Sequence, residues 1–107
     1  METTIEWVPF RLKDGGDEAA MLSASEAMQV EFLERQSGYL GRELLRGQDG
    51  AYADIVRWAT MADAEAAMAK VEASSACLRY FGHMRPPEEA AGMGVNHYTA
   101  IRSYQSK

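Results

Sequence analysis

The sequence predicts an α+β domain whose elements follow the order strand, helix, strand, strand, helix, strand. Two segments with apolar residues at helical spacing are flanked by segments that alternate or are rich in β-forming residues. The pair Asp49-Gly50 separates the two middle strands, and this dipeptide is a strong hairpin signal. The length of 107 residues suits one domain.

The first half of the chain predicts one strand and one helix. Thr4–Lys13 alternates, with Ile5, Trp7 and Pro9 on one face and Val8, Phe10 and Leu12 on the other. Pro9 lacks a backbone donor and so marks an edge, a bulge or a strand end. After a turn at residues 14–16, a helix is expected over Asp17–Gln36, stopped by Gly38, with an apolar stripe of Met21, Ala24, Met28 and Phe32.

The second half predicts a hairpin, a helix and a last strand. Strands are expected over Tyr39–Arg46 and Ala51–Ala59. Thr60 and Asp63 resemble a capping box, followed by a helix with Met61, Ala64, Met68 and Val71 as its buried stripe. The chain then indicates a short further helix within residues 74–84, a loop over 85–94 and a strand over Val95–Tyr104.

This order is the ferredoxin-like arrangement, in which two helices cover one face of a four-stranded antiparallel sheet. The uncovered face of such a sheet is expected to be polar where it meets water. Here the first strand is apolar on both faces, and the third carries Ile55 on one face and Val56 and Trp58 on the other. We therefore predict that the open face packs against a second copy of the chain as a two-fold dimer.

Charge and cysteine content exclude several classes of protein. The net charge is −5, so nucleic-acid binding is not expected. The single cysteine, Cys77, cannot form an internal disulfide and is expected to be a small packed residue. The first residues lack a basic, then apolar, signal peptide, and no stretch is long and apolar enough to cross a membrane. Cytoplasmic location is the resulting prediction.

Two runs of residues resemble a known family. They are the hairpin from Gln36 to Gly50 and the strand-to-helix run from Ala53 to Ala64. Together they are similar to the antibiotic biosynthesis monooxygenase-like superfamily, or dimeric α/β barrels, over residues 4–104. The resemblance implies a homodimer whose sheets face each other, with a pocket between sheet and helices in each protomer. The family includes cofactor-independent monooxygenases, haem-degrading enzymes, small isomerases and proteins of the stress response.

The haem-degrading branch is the poorest match. Its pattern has an Asn on the first strand and a Trp inside the second helix, and this sequence has neither. His83 is near the position of that branch's histidine but does not align with it without a gap.

The candidate catalytic residues are His97, His83 and Asp54. Histidine exchanges protons near neutral pH, and burial of Asp54 would raise its pKa toward that of a general base. The plainer interpretation of Asp54 and Arg57, which alternate onto different faces, is cross-strand ion pairing with Arg42 or Glu43.

The candidate substrate contacts are Trp58 and Tyr80 as walls and Arg57 and Tyr98 as donors. The plainer interpretation of Trp58 is a core or interface anchor, and the sequence favours it over a substrate wall. No metal-ligand spacing, phosphate-binding loop or nucleophile motif occurs in the sequence, and neither a metal nor a cofactor is predicted. Two functions remain open: a cofactor-independent monooxygenase-like enzyme for an apolar or aromatic small molecule, or a non-catalytic dimeric binding or stress-responsive module of the same fold.

Overall fold

The computed structural model describes residues 2–86 and 94–106, and within them a four-stranded antiparallel sheet packs against helices. The strands are β1 (Thr3–Arg11), β2 (Tyr39–Arg46), β3 (Ala51–Trp58) and β4 (Asn96–Ala100). The helices are α1 (Glu18–Glu31), α2 (Met61–Met68) and α3 (Ser75–Phe81). The strand order β2-β3-β1-β4 confirms the predicted ferredoxin-like arrangement.

Helix α1 is shorter than predicted. Asp17 is its N-cap, and the Asp17 carboxylate accepts a hydrogen bond from the backbone N–H of Ala19 at 3.1 Å. The α-helix ends at Glu31 rather than at Gln36, because Phe32 leaves the helical conformation and a 3-10 turn follows over Leu33–Arg35. This tighter turn lets the consecutive residues Phe32 and Leu33 both point into the core.

The β2–β3 hairpin forms as predicted. Asp49 and Gly50 have φ of 56° and 77°, and the N–H of Ala51 donates to the carbonyl of Gln48 at 3.1 Å. Two left-handed central residues match the twist of the strands that they connect.

The helical region after β3 differs from the prediction in its details. Thr60 caps α2, with its hydroxyl accepting from the Asp63 N–H at 3.0 Å, as predicted. Met61 and Met68 are each 37% exposed, so their places in the buried stripe are wrong. The short helix instead buries its small residues Ala64 and Ala67. A second helix, α3, begins after the N-cap Ser74 and confirms the short further helix.

Strand β4 covers Asn96–Ala100, only part of the predicted 95–104. Its partner β1 begins at Thr3, which pairs with Ala100, so no described strand lies beside residues 101–106. At the other end of this ladder, Trp7 pairs with Asn96. Pro9 lies past that pair, where β1 has a neighbour on one side only, so of the three predicted settings the structure shows an edge position.

The core lies between the inner face of the sheet and the helices. Trp58, Tyr80, Met21 and Cys77 are its largest fully buried side chains. Most of the loop predicted over residues 85–94 lies outside the described residues. Among the described residues, no helix is long and apolar enough to cross a membrane.

Candidate functional site

A cavity of about 110 Å³ lies between the sheet and the helices. Most of its lining is apolar and includes Met28 of α1, Met68 of α2 and Phe81 of α3. Four polar residues also line it: Glu6, Arg42, Asp54 and Tyr80. A mostly apolar cleft or cavity with a few converging polar groups is the usual form of a small-molecule site.

Because successive side chains of a strand point to opposite faces of the sheet, β3 and β1 each place a carboxylate on the inner face. Asp54, Val56 and Trp58 share the inner face of β3, as predicted, and all three are buried. On β1, Glu6 lies on the same inner face, opposite Val56 in the β1–β3 register.

One cluster of polar groups is centred on Asp54. Its Oδ1 lies 3.1 Å from Arg42 Nη1, and its Oδ2 accepts a hydrogen bond from the Tyr80 hydroxyl at 2.5 Å. The Arg42 and Asp54 side chains are 8% and 6% exposed, so this is a buried ion pair. It confirms the predicted cross-strand pairing of Asp54.

Arg42 ties the cluster to helix α1. Its Nη2 donates to the carbonyl and hydroxyl oxygens of Ser25, at 3.1 and 2.5 Å, and its Nε donates to Gln29 Oε1 at 3.1 Å. The guanidinium therefore has partners on all three of its nitrogens, which a buried cation requires.

A second cluster is centred on Glu6. Its Oε1 accepts from the indole N–H of Trp58 at 3.2 Å and lies 3.3 Å from Nε2 of His97. His97 stands directly opposite Glu6 in the β1–β4 register. No described group donates to the other carboxylate oxygen, Oε2. The structure thus brings one predicted histidine beside a buried carboxylate that borders the cavity.

Burial shifts the pKa of both Glu6 and Asp54. Desolvation raises the pKa of Glu6 above its usual 4.5, a rise that the nearby His97 and the hydrogen bonds to Glu6 oppose and the charge of Asp54 reinforces. Desolvation also raises the pKa of Asp54 above 3.8, while Arg42 and Tyr80 act in the opposite direction. Burial and the neighbouring Asp54 hold the pKa of Tyr80 far above its usual value, so this hydroxyl keeps its proton.

Three predicted site residues lie away from the cavity. Arg57 and Tyr98 both pair with Ile5, on the open face of the sheet, and Tyr98 is 57% exposed. Arg57 forms an exposed ion pair with Glu43 at 3.6 Å, which is the other pairing that the sequence predicted. His83 follows α3 and is not part of the cavity lining, although its backbone carbonyl accepts from Lys13.

Glu6 is the site residue that the sequence analysis missed. In β1, Glu6 shares the inner face of the sheet with Thr4, Val8 and Phe10. A single carboxylate among the inward-facing residues of a strand is the signal that could have identified Glu6, because such a group is rarely buried without a partner. The sequence predicted Arg42 only as an ion-pair partner and not as a residue of the cavity wall.

Two other kinds of reactive site are a cysteine nucleophile and a bound metal ion. Cys77 is buried as predicted and lines the cavity, and burial raises the pKa of its thiol, which keeps it protonated and unreactive. Within residues 2–86 and 94–106, no three His, Cys, Asp or Glu side chains form a group that could hold a metal ion.

Comparison with solved structures identifies proteins of the same fold. A point mutant of SnoaB, a cofactor-independent oxygenase from Streptomyces nogalater, matches over 98% of both chains with a TM-score of 0.72 and 20% identity. A candidate antibiotic biosynthesis monooxygenase from Caulobacter crescentus matches over 94% of this chain and 91% of its own, with a TM-score of 0.68 and 13% identity.

A third match is a protein of unknown function from Nitrosomonas europaea, over 100% of this chain and 97% of its own, with a TM-score of 0.64 and 14% identity. No protein-family model matches the chain, and no curated protein matches it in sequence. At these identities the likeness shows the fold. It is the fold of the antibiotic biosynthesis monooxygenase-like proteins, as the resemblance predicted.

Proposed function

We propose that this protein is a small cofactor-independent monooxygenase that binds an apolar or aromatic molecule in the cavity, with Glu6 as the proton acceptor. The observation that carries the proposal is the Glu6–His97 pair at the wall of an otherwise apolar cavity, with Nε2 and Oε1 3.3 Å apart. The fold shared with SnoaB, described as a cofactor-independent oxygenase, supports it.

The reaction needs a substrate that supplies its own electrons. Glu6 removes a proton from an acidic C–H bond, and the resulting carbanion passes electrons to dioxygen. Over the whole reaction, R₂CH₂ and O₂ give R₂C=O and H₂O, so one oxygen atom enters each product. A raised pKa suits a carboxylate for this task, because a general base works best when its pKa approaches the working pH.

The other cavity residues serve as walls and supports. Trp58 and Tyr80 each have one polar proton, already donated to Glu6 and Asp54 respectively. Their rings therefore offer a substrate apolar surface. Asp54, with both oxygens engaged, holds Tyr80 and Arg42 in place and is less suited than Glu6 to accept a proton.

The open sheet face supports the proposed homodimer. Ile5, Trp7 and Ile55 lie on this face without a described element covering them, and Tyr98 beside them is exposed. A second copy would bury this surface and enclose Arg57 and Tyr98, giving these predicted contacts a setting that the single chain lacks. Light scattering should give twice the chain mass of 11.9 kDa, and I55D should reduce it to one chain. A wild-type protein that stays monomeric at high concentration contradicts the dimer.

Oxygen consumption tests the enzymatic proposal. Purified protein is mixed with apolar aromatic ketones that have acidic C–H bonds, without added flavin or metal and with a chelator present. We expect oxygen uptake, with label from ¹⁸O₂ in the ketone product. E6Q should lower the rate at least a hundredfold, since general-base catalysis contributes about 10²–10⁴.

The matched control is E65Q, which changes an exposed glutamate of α2 that neither lines the cavity nor lies on the open face of the sheet, and it should leave the rate unchanged. An E6Q protein as fast as the wild type removes Glu6 from the mechanism. Oxygen uptake that stops with the chelator contradicts cofactor independence.

A binding-only module is the second candidate, and one observation favours it. Each of the four polar residues that line the cavity already has a hydrogen-bond partner within the chain, which is the arrangement expected of a wall that only supports a bound molecule. In that case the same ketones bind, with saturable shifts in an NMR titration, and no oxygen is consumed.

A further inference from the structure

Glu6 stands between the cavity and His97. Glu6 lines the cavity, and His97 lies on its far side, 3.3 Å away, on a strand at the edge of the sheet. The exposed fraction rises from 12% for the Glu6 side chain to 21% for His97. Two groups that can exchange protons therefore form a short path from the apolar interior toward water.

The other polar residues of the cavity offer no such path. Asp54 contacts Arg42 and Tyr80. A guanidinium stays protonated at any physiological pH, and the raised pKa of Tyr80 keeps its hydroxyl protonated too. Neither can take a proton from Asp54. Among the described lining residues, Glu6 is the one in contact with an imidazole, the side chain suited to proton exchange near neutral pH.

We propose that His97 is the proton outlet of the cavity, accepting the proton that Glu6 has removed from a bound molecule and releasing it to water. The inference rests on the proposed role of Glu6 as base. Glu6 carboxylate takes a proton and becomes a carboxylic acid. The acid gives that proton to the unprotonated Nε2 of His97, and the imidazolium loses a proton to water or buffer. Each step moves one proton, and both side chains are back in their starting state once exchange with water has restored the tautomer with unprotonated Nε2.

His97 acts through Glu6 and does not touch the bound molecule. Its side chain projects from the inner face of the sheet, so a second copy on the open face leaves the pair in place. The charged and titratable groups that face Glu6 are Asp54 on β3, with Arg42 of β2 paired to it, and Tyr80 and Cys77 of α3 in the cavity wall. Burial raises the pKa of both Tyr80 and Cys77, so these two are uncharged at neutral pH.

Deuterium exchange into a small ketone isolates this step from oxygen chemistry. The probe is 2-indanone, an apolar bicyclic ketone with acidic C–H bonds, in D₂O without oxygen, followed by NMR. Wild-type protein should accelerate uptake, and E6Q should abolish the acceleration. H97Q should be at least tenfold slower, because glutamine can still donate to Glu6 but cannot take up a proton.

Chemical rescue separates proton transfer from structural support. Imidazole in the buffer should restore exchange in H97Q and also in H97A, where the side chain leaves space for it. The rates of both variants should rise with buffer concentration, and the wild-type rate should not. H83Q, which changes the histidine away from the cavity, is the matched control and should behave as wild type.

The outcomes distinguish the inference from the proposed function. H97Q that exchanges as fast as wild type, with E6Q inactive, leaves Glu6 as the base and overturns the outlet. Slow H97Q and H97A that no buffer restores assign His97 a structural role and also overturn it. A wild-type protein without any acceleration removes the base itself, and the outlet with it.

Discussion

Replacing Tyr80 with phenylalanine removes one hydroxyl group from the interior and leaves the ring in place. The hydroxyl is 2.5 Å from Asp54 Oδ2, and Tyr80 is 1% exposed, so no water can take its place without entering the core. Hydrogen bonds to charged groups contribute about 1.5–3 kcal/mol. We expect Y80F to lose about 2 kcal/mol of unfolding free energy at neutral pH. For a domain of this size that lowers Tm by roughly 10 °C.

The loss should depend on pH in a defined direction. The folded-state pKa of Asp54 is raised above 3.8, so its carboxyl favours the folded state below 3.8, and this contribution is lost as pH rises through the folded pKa. Removing the Tyr80 hydrogen bond raises that pKa further, since the bond lowers it. Y80F and wild type should therefore differ least in acid, and the difference should grow as pH rises through the pKa of Asp54.

Urea unfolding followed by fluorescence, repeated across pH, measures both effects. Y104F is the matched control, because it removes a tyrosine hydroxyl from a side chain that is 88% exposed and should change stability by less than about 0.5 kcal/mol. If Y80F unfolds with the same free energy as Y104F and a parallel pH dependence, the Tyr80–Asp54 bond does not stabilise the fold, and the reasoning fails.

Three further predictions concern the ion pairs and a helix cap. R42A should cost about 3–5 kcal/mol in urea unfolding, because it leaves the Asp54 charge buried without its cation. R79A, which breaks an exposed ion pair with Glu31, should cost less than about 1 kcal/mol, and equal costs contradict this. Arg46 and Tyr52 lower the pKa of Glu18 from 4.5 to about 2, so wild type should lose stability as pH falls through this window. In a thermal pH series E18Q should lose less over that window, and identical slopes contradict the pairing. T60A should lose about 1 kcal/mol through its lost cap, and an unchanged Tm would show that the cap contributes nothing.

Local patterns predicted most of the fold. The Asp49-Gly50 turn, the cap at Thr60 and the alternation of β3 depend on neighbouring residues, and the structure confirms all three. The two cross-strand ion pairs were predictable for the same reason, since the hairpin turn fixes which residues of β2 and β3 come together.

Features that depend on distant contacts were not predictable. The β2–β3 register shifts between Tyr39 and Gly41, so Leu40 bulges outward at 57% exposure. The shift places Tyr39 opposite Trp58 on the inner face, although strict alternation from Arg42 would put Tyr39 on the open face. The length of β4 likewise depends on where β1 begins.

The candidate site could be predicted only in part. Asp54, Trp58, Tyr80 and His97 were chosen by residue type, and the first three line the cavity. The pairing of His97 with Glu6 depends on the β1–β4 register, which no local pattern encodes, so the sequence did not predict this contact.

The contact between Glu6 and His97 joins residues 91 positions apart in the chain. Closing so long a loop is among the entropically costly steps of folding, and it can occur only after the last strand has been synthesised. Until β4 docks on β1, the contact between Glu6 and His97 cannot form. This part of the cavity wall is therefore completed only after nearly the whole chain has been synthesised.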